Sequence, residues 1–208
     1  MIPAAENAYD KEITIRHSTD GFSYIVFDNN RNTFVPAAVF QDNNKKKYLE
    51  ILGLADKDSV VLCDYIESAD AYNVYAISRQ DYEETQSQPE DVKPRHASSL
   101  LIANLIKENQ QRTDIARVYL NIKNQSYEMI VLKGANLLFH NNFRFKTKED
   151  FLYFLLFSLE QLHLEPESVP VYFFGMIEED SKLVELTSRY VRDIRFRKNN
   201  IFSSECES

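Results

Sequence analysis

Arg117–Leu164, RVYLNIKNQSYEMIVLKGANLLFHNNFRFKTKEDFLYFLLFSLEQLHL, decides the fold. Across 118–123, Val118, Leu120 and Ile122 alternate with Tyr119, Asn121 and Lys123, the two-residue period of a half-buried strand. Asn124-Gln125 is a polar turn. Residues 126–133 are richer in apolar side chains (Tyr127, Met129, Ile130, Val131, Leu132), which predicts an interior strand covered on both faces. Gly134-Ala135-Asn136 is a second turn, since Gly and Asn tolerate positive φ. Residues 137–145 return as a third strand, and the three make an antiparallel meander.

A helix follows at once. Thr147 is its expected N-cap, with Asp150 three residues on at capping-box spacing and Glu149 beside it at the positive end of the dipole. From Phe151 to Leu162 nearly every position is apolar, so the helix is expected to be buried on nearly all sides. Phe151, Phe154, Leu155 and Leu159 should be almost wholly enclosed against the meander. Glu160 breaks the run well short of the ~20 residues a bilayer needs, so no membrane insertion is expected. Glu165-Pro166-Glu167 is the expected end. A buried strand at 169–177 follows, then an amphipathic helix at 181–191 with Leu183, Val184, Leu186, Tyr190 and Val191 inward, then a short strand at 193–197. The order strand, strand, strand, helix, strand, helix, strand is that of ribonuclease-H-like and actin-like halves, an analogy of order alone.

The chain has 208 residues, room for one or two domains, and a 44% apolar share, enough for a real core. Its net charge of −8 and pI near 5.1 argue against a nucleic-acid partner or an anionic membrane surface. Cys63 lies in an apolar run and reads as a buried thiol, while Cys206 lies in the polar tail; neither fits a disulfide framework or a metal spacing. The opening MIPAAENAYDKE lacks the basic and apolar regions of a signal peptide, which places the protein in a reducing cytoplasm.

Upstream the same unit recurs in weaker form. Residues 1–10 read as a frayed lead-in. Strands are expected at 13–16 and 22–28 around an Asp20-Gly21 turn, then an extended segment at 33–40 that Pro36 confines to a sheet edge or a strand end. Residues 44–54, NKKKYLEILGL, form a helix closed by Gly53, with Lys45–Lys47 on a solvated face. Strands follow at 59–66 and 71–78. Residues 79–95, polar and with two prolines, read as a linker or exposed loop, and 97–108 as a helix with Leu100, Leu101, Leu105 and Ile106 inward. Two subdomains result: 1–95, reduced, with the polar linker 79–95 at its end, and 96–208, complete, with a polar tail.

Three of these segments, DGFSYIVFD (20–28), FVPAAVF (34–40) and above all HNNFRFKTKEDFLYFLLFSLEQLHL (140–164), resemble a bacterial family of unknown function, DUF3822. The resemblance covers most of the chain. It implies an α/β protein of mixed sheets with an actin-like ATPase, ribonuclease-H-like fold, similar to the actin-like protein of type IV pilus assembly. Family members usually carry a further strand and helix before the FVPAAVF segment, where this chain has only Asn29–Asn32. The first half therefore departs from a complete actin-like subdomain.

The chemistry of that fold is harder to find. An actin-like ATPase cradles phosphate with backbone N–H groups in glycine turns and holds Mg²⁺ through acidic residues. The expected turn is of the type D-x-G-x-x-[ST]. In the second half it reads Asn121-Ile122-Lys123-Asn124-Gln125-Ser126, with Asn in the Asp place and no glycine. In the first half it reads Arg16-His17-Ser18-Thr19-Asp20-Gly21, with Asp and Gly on the far side. A later Gly-Gly is reduced to Gly175, one of four glycines in the chain, and no dinucleotide or Walker motif is present. No catalytic, cofactor-binding or metal residue is therefore assigned.

The remaining candidates are mundane. His17, His96, His140 and His163 are scattered without metal-pair spacing. His140, beside Asn141-Asn142, reads as a turn or strand end with local hydrogen bonds. Glu178-Glu179-Asp180 reads as the acidic start of a helix rather than a cation site. The 14 Phe and 12 Tyr are mostly core, with Tyr72 and Tyr75 candidates for an exposed recognition surface. Two functions remain. The favoured one is a non-catalytic actin-like scaffold that binds an unknown protein partner, in a cleft between the halves, without a cofactor. The alternative is a degenerate nucleotide-binding protein or ATPase with a phosphate site near Asn121 and Gly175.

Overall fold

The computed structural model describes residues 12–17, 23–89, 92–112 and 114–198, and the chain divides into two compact units, Met1–Leu101 and Ile102–Ser208. The first contains β1 (Glu12–His17), β2 (Ser23–Asp28), β3 (Asn32–Pro36), α1 (Lys45–Ile51), β4 (Ser59–Ile66), β5 (Ala71–Ser78), α2 (Arg79–Gln86) and β6 (Val92–His96). α3 (Ala97–Asn109) begins in the first unit and ends in the second. The expected Asp20-Gly21 turn, the lead-in 1–10 and Cys206 lie outside the described residues.

Two three-stranded sheets build the first unit, in the orders β1-β2-β6 and β3-β5-β4. β5 is central in its sheet, and its alternation divides it between two cores. Val74 and Ala76 join Leu49 of α1 on one face; Tyr75 and Ile77 join Phe27 on the other. Pro36 ends β3 at the sheet edge, as its missing N–H requires. Gly53, at φ +65°, closes α1, and the N–H of Leu54 returns to the Leu49 carbonyl. Cys63 is half-buried rather than buried, and burial still pushes its thiol above the usual range.

The polar linker expected at 79–95 is instead a helix and a strand. Ser78 caps α2, its hydroxyl accepting from the Asp81 N–H at 3.1 Å and donating to the Asp81 carboxylate at 2.5 Å. Polar composition hides the segment's anchors, Tyr82 and Val92, which pack on the Phe27–Tyr75–Ile77 core. β6 then runs parallel to β2 at the edge of its sheet, where Pro94 is tolerated.

The second unit adds β7 (Arg117–Lys123), β8 (Ser126–Lys133), β9 (Asn136–Arg144), α4 (Lys148–Gln161), β10 (Val171–Gly175), α5 (Lys182–Thr187) and β11 (Ile194–Phe196). The sheet order is β11-β10-β7-β8-β9, with the meander antiparallel and β10 parallel to both neighbours. This is the ribonuclease-H-like arrangement that the element order suggests. β8 is buried over seven of its eight residues, as an interior strand should be. Val118, Leu120, Ile122, Tyr127, Met129 and Val131 face a core closed by α4 and α5.

Thr147 and Asp150 form the capping box reciprocally, and the two N–H groups bound to the Asp150 carboxylate hold it below the usual carboxylate range. Phe151, Leu155 and Leu159 are fully buried. Phe154 is only half-buried, and the helix is not enclosed on all sides: Tyr153 is 62% and Phe157 46% exposed. A helix on one face of a sheet has an outer face whatever its composition. α4 also ends earlier than Glu165. His163 takes φ +54°, and the N–H groups of His163 and Leu164 return to Glu160 and Leu159 in a Schellman closure. α5 is shorter than 181–191, so the helical period no longer governs Tyr190, which is 51% exposed rather than inward.

Candidate functional site

Cross-strand register gathers the second unit's polar residues. Asn121 on β7 stands opposite Glu128 on β8, and Glu128 opposite Asn142 on β9. By strand alternation this row lies on the sheet face away from the α4 core, and His140 lies on that same face two residues from Asn142. The Glu128 and His140 side chains are each 2% exposed, with Nε2 of His140 2.8 Å from Oε1 of Glu128. An ionised carboxylate only accepts, so the imidazole donates from Nε2. Asn121 Nδ2 faces the other carboxylate oxygen at a longer 3.4 Å. His140 is therefore neither a turn nor a strand end, as its neighbours Asn141-Asn142 suggest, but half of a buried ionisable pair. Its partner carries a sequence signal of its own, a lone Glu within the apolar run 126–132.

Gly175 is the second fixed point. Its φ is +88°, and a Cβ there would stand 2.3 Å from the Ile122 carbonyl oxygen and 2.7 Å from Asn121 Oδ1. The structure thus brings Asn121 and Gly175 together, as the phosphate-loop comparison expects. The glycine's role is close packing of β10 on β7: Gly175 pairs with Ile122, and the Met176 N–H donates to the Ile122 carbonyl at 2.8 Å. In the adjoining hairpin Asn124-Gln125 makes the turn, and Gln125 carries φ +53° without being glycine. The corresponding turn of the first half, Ser18–Gly21, lies outside the described residues.

A second buried polar cluster belongs to the first unit. One Asp64 carboxylate oxygen accepts from the His96 N–H at 2.8 Å and the Ser99 hydroxyl at 2.6 Å. The other is approached by the Tyr75 hydroxyl at 3.4 Å and by Arg95 at 3.9 Å. Asn73 donates to Ser99, and Asn32 to Asn73. The Ser98 N–H donates to His96 Nδ1, so Nε2 carries the proton and donates to the Asn29 carbonyl at 3.0 Å. Burial raises the Asp64 carboxyl above its usual range despite these donors, and raises the Tyr75 phenol too. Tyr75 is therefore core rather than an exposed recognition residue, while Tyr72 stacks on Phe40 at 3.8 Å. Glu178, Glu179 and Asp180 form an exposed turn ahead of the Ser181 cap. Among the described residues no group of three or more His, Cys, Asp or Glu is placed to hold a metal.

Known structures share this fold at low identity. A Bacteroides thetaiotaomicron protein with an actin-like ATPase fold and unknown function superposes with a TM-score of 0.80 at 16% identity, over 88% of this chain and 73% of that one. The PilM–PilN type IV pilus biogenesis complex matches with a TM-score of 0.52 at 12% identity, over 87% of this chain and 70% of that one. No curated protein matches the chain in sequence. With the actin-like fold in place, a match over residues 24–194 to the family described as "Protein of unknown function (DUF3822)" makes this chain a member of that family.

Proposed function

We propose that this protein is a non-catalytic actin-like scaffold that binds a protein partner in the cytoplasm. One observation carries the reading: the residue in the metal-binding Asp place is the neutral Asn121, and the nearest carboxylate in its row, Glu128, is buried against His140. Mg-ATP brings several anionic oxygens that need convergent N–H donors and a cation held by carboxylate-bound water. Glu128, directed into the protein, offers neither. The hairpin turn has no glycine, and Gly175 is taken up by the approach of β10 to β7. The first unit supports the same reading as a reduced actin-like subdomain, since among the described residues its β1-β2-β6 sheet has three strands against five in the second unit. A two-protein complex among the fold's relatives fits a partner-binding role. Among the described residues no helix is long and apolar enough to cross a membrane. Isothermal calorimetry of the full chain with Mg-ATP should show no saturable heat; saturable binding in the micromolar range would overturn the scaffold reading.

A further inference from the structure

Among the described residues β9 is the terminal strand of the five-stranded sheet, so its outer edge is a template for another strand. It is also irregular: the register shifts between Val131 and Leu132, leaving Leu138 as an extra residue, 46% exposed. On the α4 side, aromatic rings lead from this edge to the surface. Phe143 stacks on Phe154 at 5.3 Å, Phe154 meets Tyr153 edge-on at 5.5 Å, and Tyr153 stacks on Phe157 at 5.9 Å. Charge marks the same place. Between Glu128 and Glu149 the sequence has Lys133, Arg144, Lys146 and Lys148 and no acidic residue, in a chain of net charge −8. The three lysines are exposed, Lys148 reaching Glu149 only at 4.0 Å.

We propose that the β9 edge and the outer face of α4 form a docking surface for an extended segment of another protein, with acidic and apolar side chains alternating. The segment adds as a sixth strand beside β9. Its apolar side chains lie over Tyr153 and Phe157, and its carboxylates meet the basic rim. The same charges disfavour a second copy of this chain: antiparallel pairing of two β9 edges sets Lys133 of each copy against the Arg144–Lys146 end of the other. The proposal deepens the scaffold reading by naming its partner's chemistry, and its test is separate from the nucleotide titration.

The probe is a short fluorescein-labelled peptide alternating Glu with Val and Ile, titrated with the full chain and read by anisotropy. Saturable binding is expected, weakening as salt rises. A peptide with Lys replacing Glu, or with alternate backbone nitrogens methylated, should bind at least about tenfold more weakly. Phe157→Ser, and separately Lys146→Glu with Lys148→Glu, should each weaken the acidic peptide about tenfold while leaving the melting curve cooperative. The two variants alter different chemistry, so either decides if the other fails to fold. Absence of saturation, equal binding of the Lys or methylated peptide, or sedimentation showing a dimer that Phe157→Ser dissolves would overturn the proposal. Saturable Mg-ATP binding with peptide binding intact would remove the scaffold reading and leave this surface standing.

Discussion

Asp64 and Glu128 are both buried carboxylates, yet they are held by different means. Asp64 accepts from a backbone N–H and a hydroxyl at 2.6–2.8 Å, with a phenol and a guanidinium behind them. Its two nearest donors do not titrate near neutrality. Glu128 meets the His140 imidazole at 2.8 Å and Asn121 at a longer 3.4 Å. The first arrangement spreads the cost of burying a charge over the His96 N–H, two hydroxyls and a guanidinium. The second sets an imidazole side chain directly against the carboxylate. A network distributed in this way should survive loss of any one member better than a pair.

The largest expected effect tests the pair. His140→Ala removes the 2.8 Å partner of the buried Glu128 and should cost ~3–5 kcal/mol by urea unfolding. Glu128→Gln in the same background should restore part of that loss, because a neutral amide is cheaper to bury without that ring. A cost under ~1 kcal/mol for the single variant would mean that Glu128 does not depend on the ring.

Next is the brace behind Asn121. Gly175→Ala forces a side chain at φ +88° and a Cβ 2.3 Å from the Ile122 carbonyl, backbone that cannot swing aside as the Asn121 side chain can. Left-handed strain and overpacking together should cost on the order of 2–4 kcal/mol. Hydrogen exchange should show the loss at β10 and β7 before α4; uniform loss would mean that the strain is not local.

Asp64→Asn is the counterpart in the first unit. The amide keeps one acceptor but turns its NH₂ toward a donor, for a cost of ~1–3 kcal/mol. The pH dependence has a definite sign. Burial raises the folded pKa of Asp64, so the folded state binds this proton more tightly than the unfolded one. The stabilisation is complete below the unfolded value of about 3.9 and is lost as pH rises through the folded value. The deficit of Asp64→Asn relative to the parent should therefore widen as pH falls through that window. A deficit that shrank with acid would show that the donors, not burial, govern the group.

Much of the second unit was legible because its signals are local. The Thr147–Asp150 box, the alternation in β7 and the glycine turn at Gly134 each act within a few residues. The polar sites were not legible for the opposite reason. Glu128 and His140 are twelve residues apart, and they meet only through the register of two strands, one of them bulged. Asp64 and Ser99 are thirty-five apart and lie on different elements. α2 is hard to read because a polar helix shows its cap and one aromatic anchor rather than a full apolar stripe. The exposed Tyr153–Phe157 pair was hidden by composition: an all-apolar helix gives no sign of which side faces water.

The smallest expected effect bears directly on function. In the scaffold reading proposed above, Asn121 takes the place of a metal-binding Asp, and its Nδ2 lies 3.4 Å from Glu128. At that distance the contact is weak beside the 2.8 Å pair with His140. Asn121→Ala should therefore change stability by less than ~1.5 kcal/mol, the range of one ordinary hydrogen bond. It should also leave peptide binding at the β9 edge unchanged. Asn121→Asp sharpens the test. It would restore the expected carboxylate but set it directly across from Glu128, where two close carboxylates cannot both ionise cheaply. The protein should then lose stability as pH rises through the carboxylate range and still gain no affinity for Mg-ATP. Micromolar Mg-ATP binding by the parent, abolished in Asn121→Ala, would show that the row is a working site and that the Glu128–His140 pair serves a ligand rather than the fold.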